Sequence, residues 1–276
     1  MMTMVYGGRA RAFGQSAAAL PRGMAPPPPE TKLKVLCLHG FTQNAEVFRA
    51  RTGSVRKNLK SRVEFVFLDG PHSAEGAFPD ADRASLGSAD APAGANDVGP
   101  RAWWLVGENA APSAPAPPGE WVRPALSREM RGWNETAERI RTACRTDGPF
   151  RGILGFSQGA STAALALARI PELAETIEFA VLIGGFEPMD PAAADDLAPA
   201  PDGSPRCGGV RSLHVHGRAD RMVSRDRVLR LMGAFEDPEL FEHEGGHGVP
   251  SSKPFRDRLK AFALEEGRTA GEAERG

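Results

Sequence analysis

Gly152-Ile153-Leu154-Gly155-Phe156-Ser157-Gln158-Gly159-Ala160 is an apolar run that ends on a serine with a glycine two residues to either side, and an Ala/Leu-rich segment follows at once. A strand that becomes a helix within so few residues strains the residue at the apex and leaves no room for neighbouring side chains. Gly155 and Gly159 therefore read as steric requirements, and Ser157 as a nucleophile held at the carboxyl edge of a sheet. The helix expected from Gln158 to Ile170 starts with N–H groups that have no partner inside the helix and point back toward the serine.

Outward from this turn, short apolar runs alternate with helical patterns. Strands are expected at 32–38 (KLKVLCL), 63–68 (VEFVFL), 150–154, 179–183 (FAVLI), 211–216 (RSLHVH) and 239–244. Helices are expected from the Thr42-Gln43-Asn44-Ala45 loop to Leu59, from Leu126 to Thr146, from an N-cap at Ser224 to Phe235, and from Phe255 to Glu266. Continuous apolar runs suit strands buried on both faces, so the fold class is α/β: a mostly parallel, doubly wound sheet with helices on both faces. Residues 73–100, 108–120 and 187–209 are rich in Pro, Ala and Gly and read as irregular interruptions. Between the first two lies Arg101-Ala102-Trp103-Trp104, two of the four tryptophans, expected to wall a substrate pocket.

At 276 residues the chain suits one large domain over 31–266, flanked by an extension (1–30) and a polar tail (267–276). With 34 basic and 35 acidic residues there is no general pull toward nucleic acid or an anionic membrane, and no apolar run is long enough to span a bilayer. Cys37, Cys144 and Cys207 are odd in number and too far apart for a zinc site, which suits a reducing, cytoplasmic setting. The first 29 residues hold no Asp or Glu but carry Arg9, Arg11 and Arg22; a plain disordered extension or a chloroplast or mitochondrial transit peptide both fit.

A serine hydroxyl is a weak nucleophile near neutrality and needs a histidine base oriented by a carboxylate. On sheets of this kind the three arrive in the order serine, acid, histidine, each after a strand. His243 and His247 follow the serine and an acid loop; His243 lies within a strand, whereas His247 sits among glycines just past it and is the candidate base. Asp220, on the loop after 211–216, is the candidate acid; Asp226 falls in a helix, Asp69 is out of order and Asp190 is in an irregular insertion. The oxyanion of a tetrahedral intermediate needs two N–H donors, assigned to Gln158 and Phe41. His39, a turn residue beside the site, joins Gly40, Trp103 and Trp104 as substrate-binding candidates, while His72, His214 and His216 have no assigned role.

The segments LHGFTQNA (38–45), LDGPH (68–72), RAWW (101–104), GFSQGA (155–160), HGRADRMV (216–223) and GGHGVP (245–250) together resemble the FSH group, the "family of serine hydrolases" of the α/β-hydrolase superfamily. The resemblance runs from about residue 33 to 262 and assigns Ser157 as nucleophile, Asp220 as acid, His247 as base, and Phe41 and Gln158 as oxyanion donors. It implies an α/β-hydrolase fold and hydrolysis of a small-molecule ester or thioester with no metal or organic cofactor. An acyltransferase using the same acyl-enzyme, or a non-catalytic binding module on the same scaffold, are the alternatives.

Overall fold

The computed structural model describes residues 31–75, 98–106 and 128–265. The extension 1–30, the tail 267–276, the insertion 108–120 and the body of the insertion 73–100 lie outside the described residues. Six strands form one parallel sheet: β1 (Leu33–Leu38), β2 (Val63–Leu68), β7 (Gly152–Phe156), β8 (Phe179–Ile183), β9 (Arg211–Gly217) and β10 (Glu239–His243), in the order β10-β9-β8-β7-β1-β2. The chain runs outward from β1 to β2, then resumes on the other side of β1 with β7. The reversal leaves a crevice between β1 and β7 at the carboxyl edge, where open α/β sheets hold ligands.

Side chains alternate across a strand, and here the alternation feeds two cores. Leu36 and Leu38 of β1, Ile153 of β7, and Ala180 and Leu182 of β8 pack on one face with helices Trp133–Asp147 and Gln158–Arg169. Val35 and Cys37, Leu154 and Phe156, and Val181 and Ile183 pack on the other face with Phe48, Val55 and Phe255 of helices Ala45–Arg51, Gly53–Lys57 and Lys253–Leu264. Strands buried on both faces explain why the sequence shows unbroken apolar runs rather than alternation.

Four very short strands tie down the ends of the interruptions. β3 (His72–Ser73) pairs antiparallel with β4 (Arg101–Ala102), and β5 (Leu105–Val106) with β6 (Met130–Arg131). The Ala74 N–H also donates to the Pro100 carbonyl (2.8 Å), so the first insertion leaves and re-enters the fold at one point.

Several element boundaries differ from expectation. The helix expected to reach Leu59 breaks at Thr52, whose hydroxyl donates to the Phe48 carbonyl (2.8 Å). The helix expected from Leu126 starts at Trp133, because Gly132 has a positive φ of 85° and the Met130 N–H is taken by the Asp190 carboxylate (2.9 Å). Within 187–209 lies the helix Pro191–Leu197, which Asp190 caps by accepting from the Ala193 N–H (3.0 Å), with proline at the first helical position. Ser224 does sit at the N-cap of helix Arg225–Met232, but its side chain makes no capping bond and the helix ends before Phe235. The terminal helix begins two residues earlier than expected, at Lys253 after Ser252, and ends at Leu264.

His214 of β9 is buried, with Nε2 3.1 Å from the Ser212 hydroxyl and its ring edge-on to Phe235. Burial pushes its pKa down to about 3 from 6.5. The folded state thus holds the ring neutral, while the unfolded chain binds a proton below about 6.5, so stability falls as pH drops from there toward about 3. Urea unfolding is expected to give a lower free energy in mild acid than near neutrality, with a shallower pH dependence for His214→Gln. An unchanged slope in that variant would remove His214 from the account.

Candidate active site

The tight turn that the glycines suggest is present. Ser157 follows β7 at the N-cap of helix Gln158–Arg169 with φ 52° and ψ −119°, a positive φ in a residue with a β-carbon. Such backbone costs on the order of 1–3 kcal/mol and persists only when its surroundings hold it. They do so from both sides. The Ser157 N–H donates to the Ile183 carbonyl of β8 (2.8 Å), and its carbonyl accepts from Ala160 (2.9 Å) and Ser161 (3.2 Å). A β-carbon on Gly159 would lie 2.2 Å from the Leu38 carbonyl oxygen and 2.4 Å from that of His39, so the start of the elbow helix rests directly on the end of β1. Gly155 meets the same limit against Ala160, at 2.4 Å.

Farther along the same edge, the loops after β9 and β10 bring Asp220 and His247 together. The Arg218 N–H donates to the His243 carbonyl (2.7 Å) and the Ala219 N–H to that of Gly245 (3.1 Å), which clamps one loop to the other. His247 Nδ1 lies 2.7 Å from Asp220 Oδ2, and both side chains are nearly inaccessible. The other Asp220 oxygen accepts from the Met222 and Val223 N–H groups (2.8 and 2.9 Å). Burial alone would raise the Asp220 pKa, but the hydrogen bond and charge of His247 with those two N–H groups outweigh it and hold the carboxyl below its ordinary value. An ionised Asp220 accepts the Nδ1 proton and leaves the Nε2 lone pair available. Nε2 is buried and has no hydrogen-bond partner among the described residues.

The serine and the histidine flank a shared neighbour. The ring of Phe156, immediately before Ser157, lies 5.0 Å from the His247 ring. Gly184 follows Ile183, the acceptor of the Ser157 N–H, and a β-carbon on it would lie 2.9 Å from His247 Cε1 and 3.1 Å from Nδ1, at a φ of +58°. Gly184 is therefore part of the site that sequence reading missed. The signal was present as Gly184-Gly185 at the end of β8, where a strand with no catalytic residue still needs a smooth surface against its neighbours.

At the end of β1, His39 is fully buried. Its Nε2 accepts from the Gly70 N–H (3.0 Å), which puts the ring proton on Nδ1, donating to the Gly40 carbonyl (2.8 Å). Burial lowers its pKa to about 4, with the Gly40 bond and the Asp69 charge pulling the other way. The turn through Phe41 is closed by the Gly40 N–H to Gln43 Oε1 (3.2 Å), the Gln43 N–H to the Gly40 carbonyl (3.1 Å) and the Thr42 N–H to the Arg101 carbonyl (2.9 Å). Trp103 and Trp104 are buried in the core rather than turned to a pocket, which corrects the expected wall. Trp103 Nε1 donates to the His39 carbonyl (2.8 Å), its carbonyl accepts from the Thr136 hydroxyl, and Gln158 bonds the backbone of both tryptophans. His39 and Trp103 thus brace the β1 turn, while Trp104 packs edge-on to Phe186. His243 lies in β10 as expected and accepts from the Gly245 N–H (3.1 Å). Asp69 accepts from the Ala45 N–H (2.7 Å), and His72 Nε2 lies 2.8 Å from the Gly132 carbonyl.

Residues 29–259 match the family described as Serine hydrolase (FSH1). Curated relatives include Esterase OVCA2 of Danio rerio (31% identical over 233 residues, covering 83% of this chain and 96% of that protein) and of Homo sapiens (32% over 238 residues, 83% and 95%). Rhodanese-like domain-containing protein 6 of Arabidopsis thaliana is 34% identical over 247 residues, 85% of this chain, which spans only 39% of that protein's length. Among solved structures, Arabidopsis thaliana SOBER1 superposes with a TM-score of 0.54 at 15% identity, covering 84% of this chain and 97% of that one. Esterase PE8 gives 0.53 at 18%, covering 84% and 91%. These structures share the fold.

Replacing Gly184 by alanine is expected to push the His247 ring off Asp220 and to impose a strained φ. Activity should fall about 10- to 100-fold, with stability lower by roughly 1–2 kcal/mol. Steady-state kinetics beside a thermal melt checks both; full activity would show that the ring has room to spare.

Proposed function

Since the chain belongs to the FSH1 serine hydrolase family and is a carboxylesterase-type enzyme, we propose that it cleaves ester or thioester bonds through an acyl-enzyme on Ser157, with His247 as base and Asp220 as its orienting carboxylate. One observation carries the reading. The strained serine of the β7 elbow and an Asp220–His247 pair with Nε2 unengaged share one sheet edge, linked through Phe156 and Gly184.

The chemistry follows from the groups present. His247 Nε2 takes the Ser157 proton as Oγ adds to the substrate carbonyl. The imidazolium so formed is stabilised by the ionised Asp220, which fixes the tautomer but does not itself take the proton. Negative charge on the carbonyl oxygen is met by the N–H groups of Gln158 and Phe41, the first at a helix N-terminus whose dipole favours an anion. The tetrahedral species collapses as His247 returns the proton to the leaving alcohol or thiol, and water repeats the sequence to free the acid. Small-molecule carboxylic esters are the substrate class, in keeping with the relatives named esterases; thioesters share the same reacting carbonyl and are included.

A fluorophosphonate probe is expected to add one phosphonyl group to the wild-type chain, read by intact mass, and none to Ser157→Ala. Ester turnover should fall by about three or more orders of magnitude in Ser157→Ala and by about 10⁴ in Asp220→Asn, which holds the wrong histidine tautomer. Equal labelling of wild type and Ser157→Ala would sink the assignment.

A further inference from the structure

Gln158 enters the proposed mechanism only through its backbone N–H, yet its side chain is buried and both of its polar atoms are hydrogen-bonded. Oε1 accepts from the Trp103 N–H (2.9 Å) and Nε2 donates to the Trp104 carbonyl (3.0 Å), so the carboxamide holds the backbone of both residues where the chain bends between β4 and β5. The chain of bonds continues. Trp103 Nε1 donates to the His39 carbonyl (2.8 Å), and the His39 ring, 5.0 Å from the Trp103 indole, donates through Nδ1 to the Gly40 carbonyl (2.8 Å). Gly40 precedes Phe41, whose N–H is the second proposed oxyanion donor. Every side chain in this path is buried. It starts on the residue carrying one donor and ends on the peptide unit that carries the other.

We infer that the Gln158 carboxamide is a positioning residue: acting through Trp103 and His39, it sets the spacing of the two oxyanion N–H groups and so governs the chemical step rather than substrate binding. The inference rests on the serine-hydrolase reading of the site. Two N–H donors stabilise an oxyanion only when both lie within hydrogen-bond reach of the position it will occupy, and a shift of about 1 Å removes much of that benefit. The ground-state carbonyl makes weaker demands on the same groups. Contact between the two segments through Gly159 alone fixes how close they come but not how the Phe41 turn is rotated. The carboxamide path supplies such a constraint at the Gly40–Phe41 peptide, beside the Thr42 bond to Arg101 that anchors the far side of the turn.

The test uses the full chain and two variants. Gln158→Met keeps the length of the side chain but loses both the acceptor for Trp103 and the donor to Trp104, and Trp103→Phe keeps a ring in the core while removing the bond to His39. Active sites are counted by fluorophosphonate titration, and turnover of a p-nitrophenyl ester is expressed per titrated site. The expected result is a kcat per site lower by about 10- to 100-fold in Gln158→Met and less in Trp103→Phe, with KM within about twofold of wild type. Affinity for a boronic acid, which mimics the tetrahedral species, should fall in proportion to kcat in both. A merely structural role would lower the number of titratable sites and leave kcat per site unchanged; that outcome, or a loss confined to KM, overturns the inference. Should Gln158→Met fail to fold, the kcat, KM and boronate values of Trp103→Phe decide it alone. Absence of labelling in the wild type would overturn the hydrolase reading itself, a result distinguishable from labelled variants that behave as wild type.

Discussion

The contact on which the rest of this molecule depends is the seat of helix Gln158–Arg169 on the end of β1, where Gly159 leaves no space between its backbone and the carbonyls of Leu38 and His39. A helix can approach a strand that closely only if its facing residues are small, and QGASTAALALAR is buried along nearly its whole length. That packing holds Ser157 in a backbone conformation it would not otherwise adopt. It also brings the N-terminus of a buried helix beside the turn after β1, so the donors of two distant chain segments are juxtaposed. The same approach leaves polar groups of the β1 turn out of water, and each must find a partner inside the protein. His39, Trp103 and Gln43 supply those partners, and Gln158 in turn holds the Trp103 backbone.

Electrostatics at the other half of the site follow from the same geometry. Asp220 is buried deeply enough that isolation would favour its neutral form, and it stays ionised because the chain folds two N–H groups and a histidine around it. A carboxylate so fully engaged is held in place, and with it the ring of His247. The clamp between the loops after β9 and β10 does for this pair what the helix seat does for the serine.

Much of this was legible in the sequence because the period of burial matches the period of the element. The central strands are buried on both faces and appear as continuous apolar runs, and the FAVLI run coincides with β8. Asp220 and His247 were legible from their order after strands, and the structure joins them. What was not legible depended on long-range partners. Met130 fits a helical stripe by spacing, yet the positive φ of Gly132 and the distant Asp190 carboxylate draw it into a two-residue strand. The helix after Asp190 carried a local signal, a capping aspartate followed by proline, that alanine-rich composition obscured. The tryptophan pair, read as a pocket wall, is buried because Trp103 reaches His39 and both backbones meet Gln158, contacts spanning more than fifty residues of sequence.

The short pairings of Ser73 with Arg101 and of Val106 with Met130 have a bearing on how such a protein diversifies. Each joins the two mouths of an interruption, so the chain between them is tethered at a fixed gap whatever its length. The entropy of closing a loop grows only with the logarithm of its length, about 0.6 kcal/mol for each doubling. Segments there can lengthen, shorten or change composition across generations with little strain passed to the elbow or to the Asp220–His247 pair. The frame is thereby insulated from its own variation, and selection can act on the outer segments without renegotiating the chemistry beneath them.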